Sequence, residues 1–169
     1  MSKLENRLFT RTAVVAAALF VASAAQAVDL RSWDMKINDV GKRFVVLASF
    51  NNQAVLDKES QLVWQISPGV VTSWTNALTF CHQSLVGGRA GWRLPSFSEL
   101  RSLAAADGKL PAGHPFQGIP DQTLWSNTDS PGEATFAMLA NLLSGGMGNQ
   151  SKSNSNPHMC VRSAVGVDR

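Results

Sequence analysis

Cys81 and Cys160 are the only cysteines in the chain, and whether they are joined decides more about its fold than any other feature. A bond between them would close a loop of 80 residues, tying the middle of the chain to its end. Chain-entropy arithmetic gives such a staple roughly 4–5 kcal/mol of stabilisation. The compartment decides whether it forms. The N-terminus carries Lys3, Arg7 and Arg11, then the apolar run Ala13 to Ala25, then the small-residue triplet Ala25-Gln26-Ala27. That order of charged, apolar and small segments is that of a secretory signal peptide. The run is 13 residues, too short to span a bilayer comfortably. In an oxidising compartment an even pair reads first as a disulfide. A metal site would need further ligands at regular spacing; His82 adjoins Cys81 but faces another side of any helix. A cysteine nucleophile would need a partnered imidazole, and His82, His114 and His158 are scattered without a signature around them.

These readings divide the chain into a signal peptide (1–27), an N-terminal arm (28–42), one domain (43–165) and a short tail (166–169). Loss of the leader removes three of 15 basic and one of 12 acidic residues, leaving 12 against 11, a net of +1. A near-neutral chain without a Lys/Arg run gives no reason to expect nucleic acid as a partner. No membrane span is expected after cleavage, and the sequence sets no oligomeric state. The expected location is outside the cytosol: periplasm, cell surface or secreted.

Along the domain, "RFVVLASF" (43–50) reads as a strand and "AVLDKESQLVWQI" (54–66) as a hairpin around Asp57-Lys58-Glu59-Ser60. Trp74, Leu78, Cys81 and Leu85 recur at helical spacing, with Thr72 or Ser73 available as a cap and Gly87-Gly88 as a stop. "GWRLPSFSELRSL" (91–103) starts a second helix. Pro95 ends the extended segment, and Ser96 with Glu99 three residues later has the form of a capping box. Phe97, Leu100, Leu103 and Ala104 follow at helical spacing, with Arg101 on the outward face. Trp92 and Arg93 read as scaffold, Arg93 as a buried guanidinium bonding loop carbonyls. Residues 107–122, with three prolines and three glycines, read as a long irregular loop. "TLWSNTD" (123–129) and "EATFAMLANLL" (133–143) read as paired strands, Ser144 to Pro157 as a loop, and "HMCVRSAV" (158–165) as a closing strand. Two helices bunched between runs of strands indicate an α+β fold of small antiparallel sheets, with the helices packed together and long loops.

Trp125, Asn127 and Asp129, with Lys152, Asn154 and Asn156, are the candidate ligand-binding residues. An exposed indole stacks on a sugar face while amides and carboxylates bond its hydroxyls. A strand tryptophan is more often core, and Asn and Asp are common turn residues. Asp129 and Glu133 are too few oxygens for calcium. No acid pair or His cluster marks an enzyme, and no cofactor or metal is expected.

The segments "VLDKESQLVWQ", "SWTNALTFCHQSLVGGRAGWRLPSFSELRSL", "LPAGHPF", "LWSNT" and "CVR" occur in the order seen in the Lcl C-terminal domain family. The chain resembles that family over about 43–163. The family takes its name from the C-terminal module of a bacterial collagen-like surface adhesin. The resemblance implies an exported domain of C-type-lectin-like architecture, in which a Cys on a helix bridges to one on the last strand, as Cys81 and Cys160 would. It further implies a non-catalytic adhesion module recognising a glycan or a surface protein, the named module binding sulfated glycans. A structural subunit of a pilus, matrix or envelope assembly is the alternative. This chain departs from the pattern in lacking a collagen repeat, in its net charge of +1, and in reading "LWSNT" where the family has "YWSST".

Overall fold

The computed structural model describes residues 36–165 and 167. The first described element is a single helical turn, α1 (Val40–Arg43), capped by the Asp39 side chain. It leads into β1 (Phe44–Val46), a 3₁₀ turn at Ala48–Phe50, β2 (Ala54–Asp57) and β3 (Leu62–Gln65). Then come β4 (Gly69–Ser73), α2 (Trp74–Gln83) and α3 (Phe97–Ser102). After a long irregular stretch follow β5 (Leu124–Ser130), β6 (Glu133–Ala140), β7 (Met147–Ser151), β8 (Ser155–His158) and β9 (Val161–Ser163).

The strands form three small antiparallel sheets: β1-β2-β3-β9, β4-β8 and β5-β6-β7. This is the expected α+β class. β2 and β3 make the expected hairpin, with Leu56 opposite Val63, and the ambiguous run 133–143 is a strand through Ala140. The closing strand β9 pairs with β3 in the first sheet, Trp64 opposite Val161. Residues 28–35 of the N-terminal arm lie outside the described residues; Ile37 is described, and its N–H donates to Glu59 Oε2 at 3.2 Å.

Four readings change. The segment 43–50 is not one strand: Arg43 ends α1, β1 covers Phe44–Val46, and Ala48–Phe50 is a 3₁₀ turn. The Gly-, Ser- and Asn-rich segment Ser144 to Pro157 is not all loop, since β7 and most of β8 lie within it. β7 is an outer strand whose side chains are exposed or half-buried, so it pairs with β6 without needing an apolar face. β4 was not foreseen at all. Leu85 lies beyond the end of α2 and is exposed, so the helix face is carried by Ala77 and Cys81, both buried.

The helices serve two clusters of buried side chains. Leu100 and Leu103 of the α3 region pack with Phe44, Val55, Trp64 and Leu124. Ala77 and Cys81 of α2 pack with Val63, Trp92, Trp125 and Cys160. The 3₁₀ turn at Val86–Gly88 presses its glycine on Phe50: Gly87 has φ +64°, and a Cβ there would lie 2.6 Å from Phe50 Cβ. Only glycine meets both demands.

One polar group is deep in this interior. The Arg43 guanidinium donates to both Asp57 oxygens at 3.0 Å and also to the Ser102 carbonyl. Asp57 further accepts from Glu59 N–H at 3.0 Å and Ser60 Oγ at 2.9 Å. One carboxylate thus fixes the β2–β3 turn, the start of β1 and the end of α3.

Candidate functional site

The start of α3 is built as its sequence indicates. Ser96 Oγ accepts from Glu99 N–H at 3.2 Å, and the Glu99 carboxylate accepts from Ser96 N–H at 2.8 Å, closing the capping box. Arg93 differs from expectation. It is half-exposed rather than buried, and it forks onto Glu99 at 2.8 and 2.6 Å, with only a 3.4 Å contact to the Leu94 carbonyl. The guanidinium's two parallel donors match a carboxylate better than a carbonyl. Burial acts to raise the Glu99 pKa, but Arg93 and the Ser96 N–H outweigh it, so the carboxyl sits below its usual range. Arg101 is not merely outward; its guanidinium donates to the Gly108 carbonyl at 3.3 Å. Trp92 is buried with its indole N–H on the Arg89 carbonyl, and the Pro95 carbonyl accepts from Asn127 N–H. All of these side chains are occupied in holding the chain. Ser96→Ala is expected to lower the unfolding free energy by about 1 kcal/mol, read from the shift of a urea transition. An unchanged midpoint would show that Arg93 and Glu99 hold α3 without the serine.

The six ligand-binding candidates separate into two groups. Trp125 is fully buried, its indole N–H donating to the Thr72 carbonyl at 2.8 Å. Asn156 is also buried, bonded to Gln150 and to Thr123 Oγ1. Both are scaffold: each satisfies a backbone or side-chain partner inside the fold, which leaves no free group for a ligand. Asn127, Asp129 and Asn154 are exposed. Lys152 lies beside them, its amine 2.6 Å from Asp129 Oδ1 and 2.7 Å from the Ala134 carbonyl.

The same amine lies 4.1 Å from the centre of the Trp74 ring. Trp74 is half-buried, with its indole N–H on the Ser126 carbonyl and its backbone N–H on the Lys152 carbonyl. The aromatic residue of this surface is therefore Trp74, at the first position of α2, in place of Trp125. Its helical spacing with Leu78 and Cys81 marked it only as a core residue. The β4–α2 junction sets it against the turn between β7 and β8. A cation over an indole face is worth about 0.5–1 kcal/mol at an exposed site. It also keeps Lys152 in one place.

A concave region lies at the other end of α2. Cys81 and Cys160 are joined, their Cα atoms 5.3 Å apart, and both residues are buried. Cys160 lies between β8 and β9 rather than inside the last strand. Beside the bond is His158, 3% exposed, its ring parallel to that of Phe80 at 6.0 Å. Gly69 makes room for it, since a Cβ there would sit 2.4 Å from His158 Nε2. Burial pushes the imidazole pKa down, partly opposed by the Val70 backbone. A groove of about 470 Å³ opens here, lined by Gln65, Val70, Phe80, Gln83, His158 and Cys160 among others.

Together these features define a small α+β module closed by one disulfide, with an exposed polar surface at the β4–α2 junction. The family model of the Lcl C-terminal domain matches residues 53–162, and the chain belongs to that adhesin-associated family. No curated protein matches it. Among the described residues, no helix is long and apolar enough to cross a membrane.

Proposed function

We propose that the protein is an exported, non-catalytic binding module that holds a glycan or another surface component on the face formed by Trp74, Asn127, Asp129, Lys152 and Asn154. The observation that carries this reading is the Lys152 amine held between the Asp129 carboxylate and the Trp74 ring. It fixes an acceptor and an aromatic edge at the surface, and Asn127 and Asn154 are exposed as well. Fixed polar groups beside a ring are what hydroxyl-rich ligands require, because little side-chain order is lost on binding. Asp129 compensates the Lys152 charge, which favours a neutral or weakly acidic glycan over a polyanion. The disulfide and the N-terminal leader order support export. The candidate acid, Glu99, is committed to the cap and to Arg93, which supports a role without catalysis.

The test is a glycan array probed with the exported protein, followed by titration of each hit. Lys152→Ala and Asn127→Ala are expected to weaken binding at least tenfold, Asn127→Ala without moving the thermal midpoint by more than a degree or two and Lys152→Ala with the modest fall that loss of its ion pair and ring contact brings. Flat binding across neutral and sulfated sugars overturns the reading. One feature favours the alternative, a subunit of a surface assembly. Val70 and Val71 are 67% and 56% exposed on β4, which pairs only with β8 among the described strands. An unpaired apolar edge invites another strand. Concentration-dependent oligomers that Val71→Lys disperses would favour assembly.

A further inference from the structure

The groove beside the disulfide contains a group that the proposed function leaves unused. His158 is 97% buried by its 3% exposure, and its Nδ1 has no hydrogen-bond partner. A buried polar atom without a partner costs about 1–3 kcal/mol, so native folds carry few of them. Polar atoms left unpaired in this way are often those that take an ion or do chemistry. The nearest chemistry is sulfur. One imidazole nitrogen of His158 and the sulfurs of Cys81 and Cys160 all lie within 4.8 Å of one another. In a tetrahedral zinc site, neighbouring donor atoms stand roughly 3.5–3.8 Å apart, given Zn–S near 2.3 Å and Zn–N near 2.0–2.1 Å. The three groups are thus brought together by α2 and the β8–β9 junction, and once the bond is cut the two sulfurs need only move apart to reach the spacing of ligands.

We propose that the Cys81–His158–Cys160 cluster is a redox-gated site for a soft or borderline cation, zinc above all, which binds when the disulfide is reduced. The reductant is a dithiol. Its two thiols become a disulfide, the Cys81–Cys160 bond breaks, and each protein sulfur gains one proton. The cation then displaces those two protons and is held by two thiolates and the neutral imidazole, whose lone pair is free to coordinate. Thiolate and imidazole donors together select zinc or a similar soft ion over calcium or magnesium. The bond and the cation exclude one another, because the same two sulfurs serve both. His158 and Cys160 line the groove, through which water or a ligand would reach the fourth position.

The test uses the full exported chain, reduced with a phosphine so that no added thiol competes for metal. Cobalt(II) is titrated in as the optical probe. One equivalent is expected to give thiolate-to-cobalt charge-transfer absorption and to raise the thermal midpoint of the reduced chain. The oxidised chain should give neither. His158→Gln is expected to weaken cobalt binding at least tenfold, while His82→Gln, an exposed neighbour of Cys81, should leave it unchanged. Zinc-edge X-ray absorption on the unsubstituted reduced chain gives an answer independent of any variant, and two sulfurs with at least one imidazole nitrogen are expected. No charge-transfer band, a reduced chain that cobalt does not restabilise, or a shell of sulfur alone would each overturn the proposal.

Discussion

Asp57→Ala is expected to lower the unfolding free energy by about 3–5 kcal/mol, read as a fall in the urea midpoint at constant slope. The reason is what the substitution leaves behind. The Arg43 side chain is 8% exposed and the Asp57 side chain 0%, so removing the carboxylate strands a guanidinium in the interior. Glu59 is already paired with Arg43 Nε at 3.5 Å and is itself partly exposed, so it offsets only part of the lost charge. The turn loses its two other bonds to Asp57 at the same time. The double variant Arg43→Met/Asp57→Leu separates the causes. It removes both charges, so it should be clearly less destabilised than Asp57→Ala, the remaining loss being that of the turn. A loss for Asp57→Ala below about 1 kcal/mol would mean that water reaches Arg43, contrary to the burial described.

Cys81→Ala is expected to cost about 4–5 kcal/mol through the unfolded chain, which gains the freedom of a loop closed between residues 79 apart. The decisive comparison is among three variants. Cys81→Ala, Cys160→Ala and the double substitution remove one and the same bond, so their losses should agree within a few tenths of a kcal/mol. The denaturant slope should rise in all three, because the unlinked chain exposes more surface when unfolded. Losses that add across the two single variants would show that packing of each sulfur, rather than the link, supplies the stability. In that case the thermal behaviour of the reduced protein would resemble that of the oxidised one.

The sequence was most informative where a local signal matched the global fold. Ser96 and Glu99 at a spacing of three, with Pro95 before them, define a cap that needs no distant partner. The β2–β3 hairpin is equally local, two short apolar runs around a polar turn. Cys81 could be placed on a helix from the spacing of its neighbours, and its pairing followed from export. What could not be read depends on contacts between distant segments. Trp125 and Trp74 look alike in the sequence. Their fates are set by Thr72, 53 residues from Trp125, and by Lys152, which returns on a turn between two unforeseen strands. The Ser144 to Pro157 segment has loop-like residues because β7 lies at the side of its sheet, where pairing supplies the order that composition does not. His158 and Cys160 are two apart, but that spacing alone marks no site, and a shared one was not foreseen. Cys81 joins them only because α2 packs against β8.

The pairing of β3 with β9 sets Leu62 against Ser163, at opposite ends of the domain's sequence. Any shorter product that stops before Val161 leaves one edge of β3 unpaired and takes the buried Val161 away from the cluster around Trp64. Such a fragment has an open strand and a sticky face, the two features that drive aggregation. So distant a pairing favours slow closure of this sheet. The same geometry makes β9 the sensitive place for substitutions and cuts, since three residues there cover one whole side of the first sheet.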